Sequence, residues 1–262
     1  MFLHRGTAQL LPRPEGIVEF QVAHTGAPAN VSQTRKGPKR DHVRWVGAGP
    51  TVRPMSRSKK LIIVGGVAGG ASVAARARRL SEEAQIVVIE RGSFVSYANC
   101  GLPFHISGEI ERREDLLVQT PEGLKHRFHL DVRTLSEALR IDRERQELEI
   151  RDLVTGEVYR ERYDDLVLAP GAKPVSPPIP GIERDGQFAL RSIPDMDAVI
   201  EWNNRVRPQR AVVIGAGYIG LEMVEQLTHL GMAVTVVEAA PQVMSAMDED
   251  MAFWAQRQLE DH

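Results

Sequence analysis

Cys100 is the single cysteine in 262 residues, so sulfur chemistry in this chain is monothiol chemistry. An internal disulfide, a C-x-x-C pair and a Cys-rich zinc site are excluded. The cysteine lies in the loop Ser93-Phe94-Val95-Ser96-Tyr97-Ala98-Asn99-Cys100-Gly101-Leu102-Pro103-Phe104. If a helix follows it, the free N–H groups at the helix start favour the thiolate, the nucleophilic form. A buried, inert free cysteine is the competing reading. Two further patterns carry chemistry: Gly65-Gly66-Val67-Ala68-Gly69-Gly70 and Gly215-Ala216-Gly217-Tyr218-Ile219-Gly220. Glycines let a turn fold sharply and approach a pyrophosphate, whose charge the N–H groups and dipole of the next helix stabilise. Glu90, twenty residues beyond Gly70, and Glu238 after the second turn are each placed to accept hydrogen bonds from a ribose.

The elements that must hold these residues are legible. Leu61 to Val64 is a short apolar run, Ala71 to Leu80 a small-residue helix, and Ile86 to Ile89 a second run ending in Glu90. Ala211 to Ile214, a helix from about Leu221 to Leu230, the stop at Gly231 and Val234 to Val237 repeat the unit. Between the copies, Gln146 to Val154, a Thr155-Gly156 turn and Glu157 to Tyr163 alternate as a solvated antiparallel meander does. Asp165 to Leu168 resumes a buried strand, Ala169-Pro170-Gly171 breaks it, and Pro174 to Pro180 reads as a hinge.

The expected architecture is α/β, with two Rossmann-like dinucleotide-binding βαβ domains, a small meander and a disordered N-terminal extension. The domains are 1–57 for the extension, 58–176 for a flavin-binding unit and 177–262 for a nicotinamide-binding unit, both incomplete. Two dinucleotide sites in one chain suit electron transfer from nicotinamide to flavin. Because Ala239, Ala240 and Pro241 follow Glu238 with no cation to meet a ribose phosphate, NADH is favoured over NADPH.

Charge is unevenly spread behind a net value of −2. Residues 1–54 carry eight Lys/Arg and three Asp/Glu, leaving 25 basic and 32 acidic residues in the remainder. Pro, Gly and scattered charge without amphipathic period make that first part read as a solvated tail, with Arg35, Lys36, Lys39 and Arg40 as a possible contact for an anionic surface. No apolar run approaches the roughly 20 residues that cross a bilayer, so a membrane-embedded channel or transporter is excluded. No stripe of basic and aromatic residues suggests nucleic acid.

The motif Ser96-x-x-Asn99-Cys100-Gly101-Leu102-Pro103, with both glycine turns and the Leu166 to Pro174 connection, resembles the pyridine nucleotide-disulfide oxidoreductases. Within them it is most like the coenzyme A-disulfide reductases, from Lys60 to about Gln258. The resemblance implies a cytoplasmic flavoprotein that passes electrons from NAD(P)H through FAD to Cys100, which forms a mixed disulfide with coenzyme A. It implies that Gly65, Gly66, Ala68, Gly69, Gly70, Glu90, Ala169, Pro170 and Gly171 hold FAD. Gly215, Gly217, Tyr218, Ile219, Gly220 and Glu238 would hold the nicotinamide cofactor. Ser72, Arg76, Arg79, Ser96 and Asn99 would contact the substrate. Glu222 would sit near the stacked rings, a helix-surface carboxylate being the alternative. No metal is implied.

The departures also carry information. The first glycine turn has no histidine, unlike relatives that reduce oxygen or peroxide, and His105 stands where double-cysteine relatives have their second thiol. A lysine that the family can set against coenzyme A is Phe128 here, with Lys125 and Arg127 nearby. Family members continue into a further nicotinamide-domain segment, a second flavin strand and a dimerisation domain, so a truncated chain from a homodimeric parent is expected. Reduction of polysulfide or persulfide by the same thiol, and an inactive nucleotide-binding fragment, are the other readings.

Overall fold

Short β-branched runs next to glycine turns become parallel strands when both of their faces are covered, because an uninterrupted apolar run has no face to offer water. A computed structural model describes residues 17–21, 59–176 and 178–261. In chain order its strands are β1 (Ile17–Gln21), β2 (Lys60–Val64), β3 (Gln85–Ile89), β4 (Asp131–Arg133), β5 (Ser136–Asp142), β6 (Glu147–Asp152), β7 (Val158–Arg162), β8 (Asp165–Leu168), β9 (Gln187–Ala189), β10 (Arg210–Ile214) and β11 (Ala233–Val237). The helices are α1 (Gly69–Leu80), α2 (Leu102–Ser107), α3 (Pro121–Phe128), α4 (Ile193–Val206), α5 (Tyr218–His229) and α6 (Glu249–Glu260), with short 3-10 turns at Asn99–Gly101 and Arg113–Leu116.

The chain divides into two compact units. The described part of the first is residues 59–98 and 114–172, and that of the second is 17–21, 99–113, 173–176 and 178–261. The units are therefore not the two contiguous blocks expected with a boundary near 176, because 99–113 packs with the later residues.

In the first unit β4-β3-β2-β8 form a parallel sheet and β5-β6-β7 an antiparallel meander. Leu61, Ile63, Ile86 and Val88 face Ala74 and Ala77 of α1 together with Leu124 and Leu130. Ile62, Val87 and Ile89 face Leu148 and Ile150 of β6. The meander thus covers the sheet face that α1 leaves open, and each buried isoleucine contributes about 1.5–3 kcal/mol. A polar cluster fastens it: Arg133 Nη1 donates to Glu161 Oε2 at 2.6 Å and Arg133 Nη2 to Asp131 Oδ2 at 2.6 Å, while Lys60 Nζ also reaches Glu161. Burial favours the neutral acid at Glu161, but the hydrogen bonds from Lys60 and Arg133 outweigh it and hold its pKa below the ordinary value.

The second unit has a parallel sheet ordered β11-β10-β1-β9. Within the extension expected over 1–57, the described residues are Ile17–Gln21, which form β1 and pair through the backbone with both β9 and β10. A β-rich pentapeptide finds its ladder far along the chain, a pairing that local composition cannot reveal. The other residues of that stretch, including Arg35, Lys36, Lys39 and Arg40, lie outside the described residues. Helix starts also differ from expectation: α1 begins at Gly69 and α5 at Tyr218, so both glycine turns run directly into helix.

Candidate nucleotide and thiol site

At the first turn the strand ends where Gly65 takes φ +97°, a conformation that side chains resist. A Cβ there would stand 2.0 Å from Ala169 O, so the Ala169-Pro170-Gly171 break lies directly against this turn. A Cβ at Gly70 would stand 1.7 Å from Gly65 O, whereas one at Gly69 would meet only Ala169 Cβ at 3.5 Å. Gly70 therefore sets the close approach of α1 to the turn, and the helix start presents its unpaired N–H groups there. Glu90 accepts from Gly66 N and Gly92 N, both at 2.7 Å, one on each carboxylate oxygen. Each oxygen keeps a lone pair for a ribose hydroxyl.

The second turn repeats this circuit atom for atom with different side chains. Gly215, at φ +99°, donates to Val237 O at 2.8 Å as Gly65 does to Ile89 O. Glu238 accepts from Ala216 N at 2.7 Å and from Ala240 N at 2.8 Å. The loop after each carboxylate then folds back on its turn: Ser96 N donates to Gly66 O at 3.0 Å, and Met244 N to Ala216 O at 2.8 Å. Both clamp residues adopt left-handed backbone, φ +46° and +49°. Sequence reasoning found the glycines and carboxylates but not these clamps, since serine and methionine share no signature. Tyr218 and Ile219 are exposed at the start of α5, with Gly220 buried beneath them. Glu222 is half-buried on α5; burial first, and the neighbouring Glu225 second, push its pKa above the ordinary value.

Within the first unit, Ser72, Arg79 and Ser96 line one cleft of about 510 Å³, together with Val67, Phe128 and Gln119. Arg76 is exposed on α1 and is not among the lining residues. Arg127 lies over the Phe128 ring, its Cζ 5.4 Å from the ring centroid, so an arginine stands beside the aromatic residue at this position. Cys100 is exposed on the 3-10 turn that leads into α2, not buried in a core. Asn99 beside it belongs to the second unit, where its Nδ2 donates to Arg191 O at 3.4 Å. Among the described residues no group of His, Cys, Asp and Glu is arranged to hold a metal, and no helix is long and apolar enough to cross a membrane.

Comparison with known proteins places this geometry in context. The pyridine nucleotide-disulphide oxidoreductase family model matches residues 59–262. A coenzyme A disulfide reductase of Staphylococcus epidermidis is 38% identical over 192 residues, covering 73% of this chain and 43% of that protein. Reduced Bacillus anthracis CoADR-RHD superposes with a TM-score of 0.76 at 50% identity, over 78% of this chain and 37% of that one. An NAD-dependent persulfide reductase from A. fulgidus gives 0.73 at 37% identity, over 77% and 38%. The chain thus spans less than half the length of each of these three relatives. Two glycine turns closed by the same carboxylate circuit, carried by an α/β fold matched over this length, make the chain a member of the pyridine nucleotide-disulphide oxidoreductase family.

Proposed function

We propose that the protein moves electrons from NADH by way of FAD to Cys100, which reduces a small disulfide of the coenzyme A type. The observation that carries this reading is the twin circuit: two turns, each with a carboxylate pre-set by two backbone N–H groups, suit two dinucleotides. The first turn fits FAD because its glycines form a cradle that a single Cβ would fill. Gly65 to Gly70 would face the pyrophosphate, Glu90 the ribose, and Ala169 to Gly171 the opposite side of the turn. Gly215, Gly217, Gly220 and Glu238 would do the same for NADH. Tyr218, Ile219 and Glu222 would line the nicotinamide side. Ala239, Ala240 and Pro241 offer no cation for a ribose phosphate, which supports NADH over NADPH.

When bound, flavin supplies two-electron transfer between nicotinamide and sulfur. The chain's own step is thiol-disulfide exchange. Cys100 Sγ, as thiolate, attacks one sulfur of the substrate disulfide, forming a mixed disulfide while the other sulfur leaves as thiolate. The electron pair from NADH then reopens that mixed disulfide to the Cys100 thiolate and the second thiol. Exposure of Cys100 gives the substrate access. Ser72, Arg79 and Ser96 would hold the substrate's polar end, and Arg76 and Asn99 are further candidates to contact it.

The similarity to a persulfide reductase supports a second acceptor, since the same thiolate can release sulfane sulfur. The test loads the chain with FAD and compares wild type with Cys100→Ser, using NADH and either coenzyme A disulfide or polysulfide. Cys100→Ser is expected to abolish sulfur reduction while leaving bleaching of the flavin by NADH intact. Undiminished turnover rejects the reading, and the acceptor turned over faster by wild type identifies the substrate.

A further inference from the structure

The cysteine segment is held at both of its ends by the N-terminal end of one helix. The chain leaves the first unit after Ala98, whose N–H donates to Leu116 O at 2.8 Å, and rejoins it at Glu114. Residues 99–113 between these points pack within the second unit. At the entry, Asn99 Nδ2 donates to the carbonyl of Arg191. At the exit, Arg113 forms a two-pronged pair with Asp197, Nε to Oδ1 at 3.1 Å and Nη2 to Oδ2 at 2.6 Å. The two acceptors flank the start of α4: Arg191 stands just before its N-cap Ser192, and Asp197 is its fifth residue. That start is itself rigid, because Asp195 Oδ2 accepts from Arg191 N at 3.1 Å, Ser192 N at 2.8 Å and Ser192 Oγ at 2.7 Å. Between the two anchors, α2 buries Leu102, Pro103 and Ile106 and packs against α4 and α5. The helix beside it, α5, is the one that opens from the second glycine turn.

We propose that the N-terminal end of α4, from Arg191 to Asp197, is a bracket that positions the Cys100 segment, and that through the α2–α5 packing it makes Cys100 reactivity respond to nucleotide bound at the second glycine turn. Arg113, Asp197 and Asn99 are positioning residues in this scheme; none of them needs to touch the reacting sulfur. The inference rests on the proposed role of Cys100 for its biological meaning, but the bracket is tested without turnover. A fork between guanidinium and carboxylate is specific in geometry, so its loss cannot be replaced by charge alone.

The experiment measures the alkylation rate of Cys100 by iodoacetamide in the full chain, with and without NAD⁺, across neutral pH. With the bracket intact, NAD⁺ is expected to slow alkylation about fivefold, a modest coupling between neighbouring sites. Asp197→Ala is expected to raise the rate without nucleotide about threefold, the scale of a partly exposed ion pair, and to remove most of the NAD⁺ effect. Asp197→Asn, which preserves shape, is expected to behave alike, and Arg113→Lys to fall between. Reversing the pair, Arg113→Asp with Asp197→Arg, is expected to restore both the rate and the response, a rescue that general loosening would not give. A wild-type rate in Asp197→Ala, an equal NAD⁺ effect in wild type and variant, or a reversed pair as fast as the single variant overturns the proposal. The Cys100→Ser turnover assay reports separately on the redox role, so the two failures are distinguishable.

Discussion

Two neighbouring glycines at the start of α1 make a sharp test of how the first turn is built. Alanine at Gly69 places its Cβ at ordinary contact distance from Ala169 Cβ, while alanine at Gly70 drives its Cβ to 1.7 Å from Gly65 O. Backbone, not a yielding side chain, is what it strikes, so helix and turn must part by more than an ångström. Gly65 is itself tied into the sheet through its hydrogen bond to Ile89 O and is closely backed by Ala169. Relaxation therefore has to tear the helix start away, at about 3 kcal/mol or more, as for other overpacked sites. For a unit of this size that lowers the melting temperature by about 10 °C. Gly69→Ala should instead be neutral or stabilising by about 0.5 kcal/mol, since alanine suits a helix better than glycine. Thermal unfolding followed by far-ultraviolet circular dichroism gives the stability arm. Flavin titration gives the other arm, where displaced N–H donors should weaken binding by about a hundredfold or more in Gly70→Ala alone. Equal melting of the two variants, or Gly69→Ala as damaging as Gly70→Ala, refutes the geometry.

Replacing Glu238 by Gln sets an amide NH₂ against one of the two N–H groups that the carboxylate now accepts, so NADH affinity measured by nicotinamide fluorescence should fall about tenfold or more. Glu161 has its folded pKa below its unfolded one, so its stabilisation is present above the ordinary glutamate range and lost as pH falls through the folded value. Urea melts taken from neutrality to about pH 3 should show a steep acid limb in wild type that Glu161→Gln flattens. Glu222 has the opposite sign: its raised folded pKa gives stability that is full below the unfolded value and declines as pH rises through the folded one. Glu222→Gln should accordingly stabilise the second unit at neutral pH, with the gain vanishing in acid, which denaturant titrations at the two pH values will report.

Much of this was legible because the signals are local. Apolar runs of strand length, glycines at fixed offsets and a carboxylate closing the second strand all fall within thirty residues of one another, and the backbone circuit follows from them. Gly69 and Gly70 belong to the glycine-turn pattern, yet both lie within α1, and close approach to Gly65 is the reason for Gly70. β5 escaped notice because its pairing partner, β6, is needed to see it. The cleft formed by Ser72, Arg79 and Ser96 follows from one helical face and one loop clamp, yet Arg76, on the flank of that face, is not among its lining residues. Hardest to read was the allegiance of 99–113. Nothing in Leu102, Pro103 or Ile106 names the helices they will pack on, and the Arg113–Asp197 fork joins residues 84 positions apart.

Because 99–113 is donated by one unit to the other, no single cut of the backbone yields two whole pieces. A fragment ending near 176 keeps the loop but strips Leu102 and Ile106 of their cover, while its complement lacks the helix that fills the space beside α4 and α5. Proteolytic dissection should then release one half greasy and the other hollow, and only co-purification of the nicked halves would preserve a native thiol.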